Sequence, residues 1–286
     1  MARISPLSQL NDPTLLKTKA LINGEWVDGN GTFAVTDPAT GEHLADVANL
    51  GAAHAEQAIA AANAAWGAWR KTTAKVRSQI LRKWFDLLMA NQADLARIMT
   101  AEQGKPLAEA TGEIAYGASF VEWFAEEAKR VNGETLPTFD NNRRLLVMRE
   151  PIGVCAAITP WNFPLAMITR KVAPALAAGC PVIIKPAELT PLTALAAAEL
   201  AMRAGIPAGV LNMLSADADQ SIAIGKVLCA SDVVRHISFT GSTEVGRILM
   251  AQSAPTVKKM SLELGGNAPF IVFDDSDIDS AVEGAF

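Results

Sequence analysis

The chain contains 286 residues, of which 50% are apolar and 19% are charged, and its formal net charge at pH 7 is −5. This length and apolar content can build a large core, which excludes a mainly disordered chain. Because the chain is acidic and its lysines and arginines form no block, we expect it to bind neither nucleic acid nor an anionic membrane surface. The three cysteines have no C-x-x-C spacing, so a disulfide framework is excluded and a reduced, cytoplasmic protein is predicted.

Two stretches invite comparison with targeting or membrane segments. Residues 1–19 lack the apolar run of a secretory signal. Residues 151–169 form an uncharged stretch that is nearly as long as a membrane-spanning helix. Pro160 and Pro164 interrupt this stretch. We therefore predict a buried strand, a loop and a helix start here. The three histidines show no ligand spacing, and no metal site is predicted.

The first predicted region, residues 1–133, has short strands followed by long helices. Asn23-Gly24 and Asp28-Gly29 are turn signals that predict hairpins between residues 20 and 50. Apolar residues spaced by three and four predict helices over 55–70, 75–104 and 108–131. The aromatic residues on these stripes are expected in the core, and they are Tyr116, Trp66, Trp69, Trp84 and Trp123.

The remainder of the chain divides into three further regions. Residues 134–151 predict a projecting hairpin with a polar turn at Asn141–Arg144. From 152 to 264, strands of four to six residues alternate with helices of ten or more, which indicates βαβ units around a parallel sheet. Residues 265–286 begin a new unit. The predicted fold class is α/β, with a Rossmann-like parallel sheet, flanking helices, an N-terminal helical layer and the hairpin.

Two predicted strand ends carry polar side chains suited to a ligand. Thr159–Pro164 is a rigid loop that presents Asn162, whose amide can donate to a developing oxyanion or can cap the helix that follows. Lys185 and Glu188 follow the next strand, where they can hold ribose hydroxyls or form a solvated ion pair. Carboxyl ends of parallel strands are where open α/β sheets bind ligands.

Two later strand ends add a glycine-rich turn and a carboxylate. Gly241-Ser242 leads into a helix whose free N–H groups can face a phosphate, although the segment is not a Walker A loop. Glu263 lies between leucines at an apolar strand end, where desolvation would raise its pKa toward that of a general base. The alternative is an outward strand position. Arg170 can bind a substrate carboxylate or form a surface salt bridge, and the three cysteines are expected as core residues.

The motifs ITPWNFP, KPAE, FTGSTEVG and LELGGNAPFIVFDD follow one another in this order, and with them the chain resembles the aldehyde dehydrogenase superfamily. Within it, the chain is most similar to succinate-semialdehyde dehydrogenases. The resemblance implies a homo-oligomer in which residues 134–151 form an oligomerisation hairpin. It also implies a small aldehyde substrate, such as a semialdehyde with a distal carboxylate, that is oxidised to the acid through a cysteine thiolate.

The resemblance also assigns roles to positions of this sequence. Asn162 would hold the oxyanion, Glu263 would be the general base and Arg170 would bind the distal carboxylate. The cofactor-binding positions that it implies are Thr159, Trp161, Asn162, Lys185, Glu188, Gly241, Ser242 and Leu264. The cofactor would be NAD, with NADP possible. A carboxylate at Glu188 accepts a hydrogen bond from a ribose 2′-hydroxyl but repels a 2′-phosphate.

One departure from the family pattern concerns the nucleophile. The family's catalytic cysteine lies some way past the position of Glu263, and none of the three cysteines here matches it. The sequence is therefore expected to be an N-terminal fragment that is inactive by itself. A non-catalytic dinucleotide-binding or interaction module, and a dehydrogenase of glutarate semialdehyde or another aldehyde, remain alternatives.

Overall fold

The computed structural model describes residues 6–285. Its strands, numbered in chain order, are β1 (Ala20–Ile22), β2 (Glu25–Val27), β3 (Thr32–Thr36), β4 (His43–Ala48), β5 (Glu134–Leu136), β6 (Leu145–Val147), β7 (Val154–Ile158), β8 (Val182–Lys185), β9 (Leu211–Met213), β10 (Val234–Gly241) and β11 (Lys259–Leu264). Its α-helices are α1 (Ala52–Trp69), α2 (Ala74–Ala90), α3 (Gln92–Gln103), α4 (Leu107–Glu127), α5 (Ala166–Ala178), α6 (Pro191–Ala204), α7 (Ala218–Ala230), α8 (Thr243–Ser253) and α9 (Ile278–Ala285).

The centre of the fold is a seven-stranded sheet in the order β11-β10-β7-β8-β9-β1-β2. The strands from β11 to β9 run parallel, and the β1–β2 hairpin extends the sheet antiparallel to β9. From β7 the chain builds outward to β8 and β9, then crosses to β10 and β11 on the other side. The strand order therefore reverses between β7 and β10, and the predicted α/β fold with a Rossmann-like sheet is confirmed.

Helices cover both faces of this sheet. On one face, α2 to α6 pack in a thick layer on residues such as Cys155 and Ala157 of β7. On the other face, α1, α7 and α8 pack on Val154 and Ala156. Every residue of β8 is buried, as expected for a central parallel strand that is covered on both sides. The rigid sheet fixes where each strand end lies.

Helices α5 and α6 end at glycines, and the helix expected over 75–104 is wrong in its length. Gly179 and Gly205 end these two helices in the left-handed conformation, which glycine adopts without strain. Asn91 divides the long helix into α2 and α3, because its side-chain N–H donates to Leu87 O at 2.8 Å and closes the first of them. The periodicity is in phase across this break, so the sequence pattern alone does not reveal it.

The expected burial of the aromatic residues is wrong at two positions. Trp69 and Trp84 are buried and Trp66 is half-buried. Tyr116 and Trp123, in contrast, are 47% and 65% exposed on the outer side of α4. The buried stripe of α4 is formed by smaller residues such as Ala118 and Val121, which approach α2 and α5 more closely. Apolar character at helical spacing therefore does not separate the two sides of this helix.

Two apolar segments lie outside the layered core. Strands β5 and β6 pair as the predicted hairpin, which exposes Phe139, Leu146 and Met148. Beyond β11, residues 265–277 are irregular and α9 is solvent-exposed, with Phe270 and Phe273 uncovered.

In the part of the chain that the structure describes, no helix is both long and apolar enough to span a bilayer. The boundaries of the four predicted regions remain predictions.

Candidate functional site

The polar strand ends predicted to carry a ligand lie side by side at the carboxyl edge of the sheet. Ile158 of β7 pairs with Lys185 of β8 on one side and with Phe239 of β10 on the other. One residue past Phe239, Thr240 pairs with Glu263 of β11. The loops at 159–164, 185–188 and 241–246 therefore adjoin one another and residue 263. This edge includes the switch point between β7 and β10, the usual ligand crevice of such sheets.

Asn162 presents a free amide at this edge. Its side-chain oxygen accepts the N–H of Phe163 at 3.1 Å, and its Nδ2 has no partner among residues 6–285. Helix α5 begins only at Ala166, and the side chain of Asn162 caps none of its N–H groups. The capping alternative is therefore wrong. An exposed N–H donor on a rigid loop remains available for an oxygen of a ligand.

A buried ion pair holds the Asn162 loop in place. Glu113 of α4 accepts the N–H groups of Leu165 and Ala166, at 3.0 and 3.3 Å, and thus takes the capping role at α5. Its other oxygen lies 2.5 Å from Lys105 Nζ, which also donates to the carbonyl oxygen of Asn162 at 3.1 Å. The carboxylate and the ammonium group together fix both ends of the loop. The sequence pattern does not reveal this pair, because its partners lie about 50 residues away along the chain.

Lys185 is not part of a solvated ion pair. It is buried at the end of β8, and its Nζ donates to Ser221 Oγ at 2.7 Å and to Glu188 Oε2 at 3.3 Å. Burial lowers the pKa of Lys185, and the carboxylates of Glu188 and Asp217 oppose that effect. Glu188 is half-buried. The contact between the two side chains therefore lies at the sheet edge, with Lys185 buried and Glu188 partly open to solvent.

Thr159 and Trp161, the two other predicted binding residues of the Asn162 loop, make different contacts from Asn162. The N–H of Thr159 donates to the carbonyl oxygen of Lys185 at 3.2 Å, which ties the β7 loop to the β8 loop. Trp161 is half-exposed and lines a cavity of about 220 Å³ together with Glu188, Leu189 and Thr190. The wall of that cavity also contains Glu102, a fully buried carboxyl group that accepts the N–H groups of Leu192 and Thr193 at 2.6 and 2.7 Å.

Gly241 and Ser242 connect β10 to α8 at the same edge. Ser242 is the N-cap, and its Oγ accepts the N–H of Val245 at 3.3 Å. The N–H groups of Thr243 and Glu244 precede the first intrahelical bonds and face outward, as first-turn amides do. A Cβ at Gly241 would meet the ring of Phe239, and one at Gly246 would meet the side chain of Leu264. A side chain at position 241 would therefore have to displace the Phe239 ring, whereas at position 246 a shift of the flexible Leu264 side chain would make room.

An apolar cavity of about 330 Å³ opens between α7 and α8 next to Lys185. Its polar lining residues are Lys185, Ser221 and Gln252, and the rest of its wall is apolar. The lining residues are Ile158, Lys185, Ser221, Ile222, Gly225, Val245, Ile248, Leu249 and Gln252. Such a cavity fits a flat apolar ring with a polar group at one end. The sequence signal that could have revealed it is the apolar stripe of Val245 and Ile248 on α8.

Glu263 is exposed, so the expected apolar surroundings of its carboxylate are not observed. It points to the face of the sheet opposite Leu262, in line with the alternation of β11. Lys171 on α5 lies near enough to feel its charge: burial and Arg170 lower the pKa of Lys171 to about 8, and Glu263 opposes that effect. Lys171 Nζ donates to Ser238 Oγ at 2.9 Å. Lys171 was not among the predicted site residues, although it follows Arg170 directly.

Arg170 is exposed and has no carboxylate partner among the described residues, so the surface salt bridge is wrong. Its guanidinium group lies 5.3 Å from the ring centroid of Phe120 and is free to bind an anion. The three cysteines are buried, as expected, and Cys155 and Cys180 lie at the amino ends of strands, away from Asn162. Among residues 6–285 no three His, Cys, Asp or Glu side chains cluster as metal ligands, and the absence of a metal remains a prediction.

A sheet whose strand order reverses, with a helix N-terminus, an apolar cavity and a lysine at its carboxyl edge, is typical of α/β proteins that bind nucleotides. Residues 26–286 match the model of the aldehyde dehydrogenase family. The chain belongs to the aldehyde dehydrogenase family.

Curated relatives and solved structures agree with this assignment. Over 279 residues the chain is 61% identical to the NADP(+) succinate-semialdehyde dehydrogenase GabD of Escherichia coli K12 and to the glutarate-semialdehyde dehydrogenase of Pseudomonas putida KT2440. These matches cover 97% of this chain but 57% and 58% of the relatives. The crystal structure of succinate-semialdehyde dehydrogenase from Burkholderia pseudomallei superposes with a TM-score of 0.91 at 64% identity, covering 97% of this chain and 57% of that one. The chain thus spans somewhat more than half the length of the relatives that it matches.

Proposed function

We propose that this chain supplies the cofactor-binding half of an NAD(P)-dependent aldehyde dehydrogenase that oxidises a semialdehyde to the corresponding dicarboxylic acid. The observation that carries the proposal is the alignment of four strand ends at one sheet edge. This alignment brings a free amide, a buried lysine, a helix N-terminus and a carboxylate together. Family membership and the names of the relatives agree with this chemistry.

The donor set at the sheet edge fits a dinucleotide. The cavity between α7 and α8 would take the adenine ring, and Lys185 and Glu188 would bind the hydroxyls of its ribose. The first-turn N–H groups that follow Gly241 and Ser242 would bind the pyrophosphate. Thr159 and Trp161 would line the central part, and Leu264 would lie near the nicotinamide. When bound, the cofactor accepts the hydride.

The chain's own residues would act on the aldehyde as follows. The Asn162 amide would donate to the aldehyde oxygen as negative charge develops there, which stabilises the transition state. Glu263 would accept a proton from the water that releases the acid. Its exposed carboxylate can reach solvent in this chain. The buried Lys105–Glu113 pair would keep the Asn162 amide in position.

The preferred cofactor is proposed to be NAD, because the Glu188 carboxylate beside the ribose site repels a 2′-phosphate. Lys185 weakens this repulsion, since its ammonium group pairs with Glu188. One relative is named for NADP(+), so NADP binding is the alternative that must be measured.

The substrate is proposed to be succinate semialdehyde. Arg170 has an exposed guanidinium group without a carboxylate partner in the described chain, and such a group binds a distal carboxylate as a bidentate partner. Relatives named for succinate and glutarate semialdehyde share 61% identity with this chain. A dehydrogenase of glutarate semialdehyde, one carbon longer, is therefore the second candidate.

The assembly is proposed to be a homo-oligomer located in the cytoplasm. The β5–β6 hairpin projects from the core and exposes Phe139, Leu146 and Met148, which a second copy of the chain would cover. The reduced, buried cysteines are typical of a cytoplasmic protein.

Two experiments test the proposed function. The first titrates this 286-residue chain with NADH and NADPH and follows the cofactor fluorescence, with Lys185→Ala as the binding-deficient variant. Saturable binding that Lys185→Ala abolishes is expected, and equal binding by both proteins would contradict the proposed cofactor site. The second assays the complete reading frame that carries this sequence against succinate, glutarate and unsubstituted aldehydes with both cofactors. Oxidation of the unsubstituted aldehydes in preference to both semialdehydes would contradict the proposed substrate.

A further inference from the structure

A cavity of about 410 Å³ opens at the amino edge of the sheet, away from the candidate site. Its wall includes Pro151, which precedes β7, whereas the Asn162 loop follows the same strand at its other end. The cavity shares no lining residue with the proposed function. One lining residue, Glu150, is acidic and several are cationic. We call it the basic cavity, and its cations are Arg70, Lys71, Arg77, Lys129 and Arg149.

Arg77 brings a buried positive charge to the basic cavity. Its residue is 8% exposed, and it donates through Nε to Ala177 O at 2.9 Å and through Nη1 to Thr72 O. Both acceptors are neutral carbonyl oxygens, and Nη2 has no acceptor among residues 6–285. A buried guanidinium group without a counterion is unfavourable, and an anion in the basic cavity would supply the missing negative charge.

Two exposed cations on the same wall also lack a counterion. Arg70 and Lys71 form no salt bridge within the described part of the chain, and the Arg70 guanidinium lies 5.1 Å from the ring centroid of Trp66. The remaining two cations have partners outside the cavity, since Lys129 pairs with Glu126 at 2.7 Å and Arg149 pairs with Glu134 at 2.8 Å. The uncompensated charge of the basic cavity is therefore positive even when Glu150 is included.

Helix α2 begins at the wall of the basic cavity, which Ala74 lines. Thr73 is the N-cap, and its Oγ1 accepts the N–H of Val76 at 3.4 Å. The N–H groups of Ala74 and Lys75 precede the first intrahelical bonds and have no acceptor in the helix. A helix N-terminus adds partial positive charge and N–H donors, both of which favour an anion.

We propose that the basic cavity binds a phosphate group, either as free phosphate or as the phosphate of a small ester. A phosphate carries close to two negative charges and presents at least three strong acceptor oxygens in a tetrahedral arrangement. The cations come from three separate parts of the chain, at 70–77, 129 and 149, so a tetrahedral anion fits them better than a planar carboxylate. The volume also lies within the range of about 300–1,000 Å³ of small-molecule sites, which leaves room for an ester.

The proposal is tested by calorimetric titration of the folded 286-residue chain with inorganic phosphate. We expect saturable binding that the double variant Arg70→Ala, Lys71→Ala weakens at least about tenfold. The matched control is Arg143→Ala, Arg144→Ala, which removes two positive charges from the exposed turn of the β5–β6 hairpin. Its affinity is expected to change by less than about twofold. Arg77→Lys keeps the charge but loses the planar fork, so it is also expected to bind phosphate more weakly.

Two further measurements locate the bound phosphate and identify its source. Hydrogen exchange followed by mass spectrometry is expected to show that phosphate protects the backbone over 70–76. A parallel titration with ribose 5-phosphate distinguishes the two forms of the ligand. Tighter binding of the ester would identify a small phosphate ester as the ligand, and binding no tighter than that of inorganic phosphate would identify free phosphate.

Four results would overturn the proposal. The first is the absence of saturable binding, and the second is an equal loss of affinity in the two double variants, which would indicate a response to net charge alone. The third is protection confined to 241–246, which would place the phosphate in the proposed dinucleotide site. The fourth is succinate binding as tight as phosphate binding. Because both double variants replace only exposed side chains, an Arg77→Lys protein that fails to fold leaves the proposal testable.

Discussion

Lys105 and Glu113 form a buried ion pair whose two members hold opposite ends of the loop that carries Asn162. Lys105 donates to the carbonyl oxygen of Asn162, and Glu113 receives the N–H groups that begin α5. The two side chains are 10% and 2% exposed, so neither charge is well solvated. A pair in this setting positions an adjoining group, because removing one charge leaves the other buried without a partner.

Lys105→Met is expected to lower the free energy of unfolding by about 3–5 kcal/mol, because it leaves the buried Glu113 carboxylate without a partner charge. The measurement is equilibrium denaturation with urea. The matched control is Arg82→Met, which also removes a cation that pairs with a glutamate of α4, Glu122. Both members of that pair are more than 40% exposed, so the expected loss is at most about 1 kcal/mol. Equal losses in the two variants would show that the Lys105–Glu113 pair has no special role.

Glu188→Ser is expected to shift cofactor preference toward NADPH by about tenfold, because it removes the negative charge that repels a 2′-phosphate. The measurement is the ratio of the dissociation constants for NADH and NADPH in the same buffer. Glu25→Ser is the control, since Glu25 is exposed on β2 at the far edge of the sheet. An unchanged ratio in Glu188→Ser would place Glu188 away from the ribose.

The Rossmann-like half of the fold could be predicted well from the sequence because its signals are local. Glycines such as Gly179 and Gly205 end helices, and short apolar runs such as 182–185 form strands that are buried on both faces. The break at Asn91 and the exposure of Trp123 depend on tertiary packing, which apolar spacing does not encode. The predictions for these two features are therefore wrong.

The candidate site, like the fold, could be predicted from the sequence only in part. Positions such as Asn162 and Gly241 could be placed from the sequence, because carboxyl ends of parallel strands share one edge. Ser221 and Lys171 could not, since each becomes part of the site through a partner on another element. Glu113 takes the place of Asn162 as the cap of α5 for the same reason: a buried carboxylate from a distant helix is a stronger acceptor than the local amide.

Glu102 is expected to make the protein less stable as pH rises. Burial raises its pKa from 4.5 to about 8 in spite of the hydrogen bonds from Thr193 and Leu192. The folded state therefore keeps a proton that the unfolded state releases, so the stabilisation present below pH 4.5 is lost as pH rises toward 8. The expected slope is at most about 1.4 kcal/mol per pH unit.

The measurement for this group is urea denaturation at several pH values from 5 to 8, compared with Glu102→Gln. The amide is neutral at every pH and still accepts a backbone N–H, so its stability is expected to vary less over this range. Parallel pH profiles for the two proteins would show that Glu102 does not take up a proton on folding.

Asn162→Ala is expected to lower the activity strongly with little change in the stability of the fold. Its side chain caps no helix and is exposed, so the free energy of unfolding of this chain is expected to change by less than about 0.5 kcal/mol. In the complete reading frame, the loss of one oxyanion donor is expected to lower kcat by about 10²–10³-fold. The assay compares kcat and NADH binding in the same preparation. Loss of kcat accompanied by equal loss of cofactor binding would indicate a disordered loop instead of a missing donor.

Leu146→Asp is expected to dissociate the proposed homo-oligomer of the complete protein. Leu146 lies in β6 and is 73% exposed, so a second copy must cover it if the hairpin is the interface. A carboxylate there would be desolvated on association, which is unfavourable without a partner charge. The measurement is sedimentation velocity, with Val257→Asp as the control. Val257 is 87% exposed away from the hairpin, and its φ of 50° suits aspartate better than a β-branched residue. Dissociation by both variants, or by neither, would place the interface elsewhere.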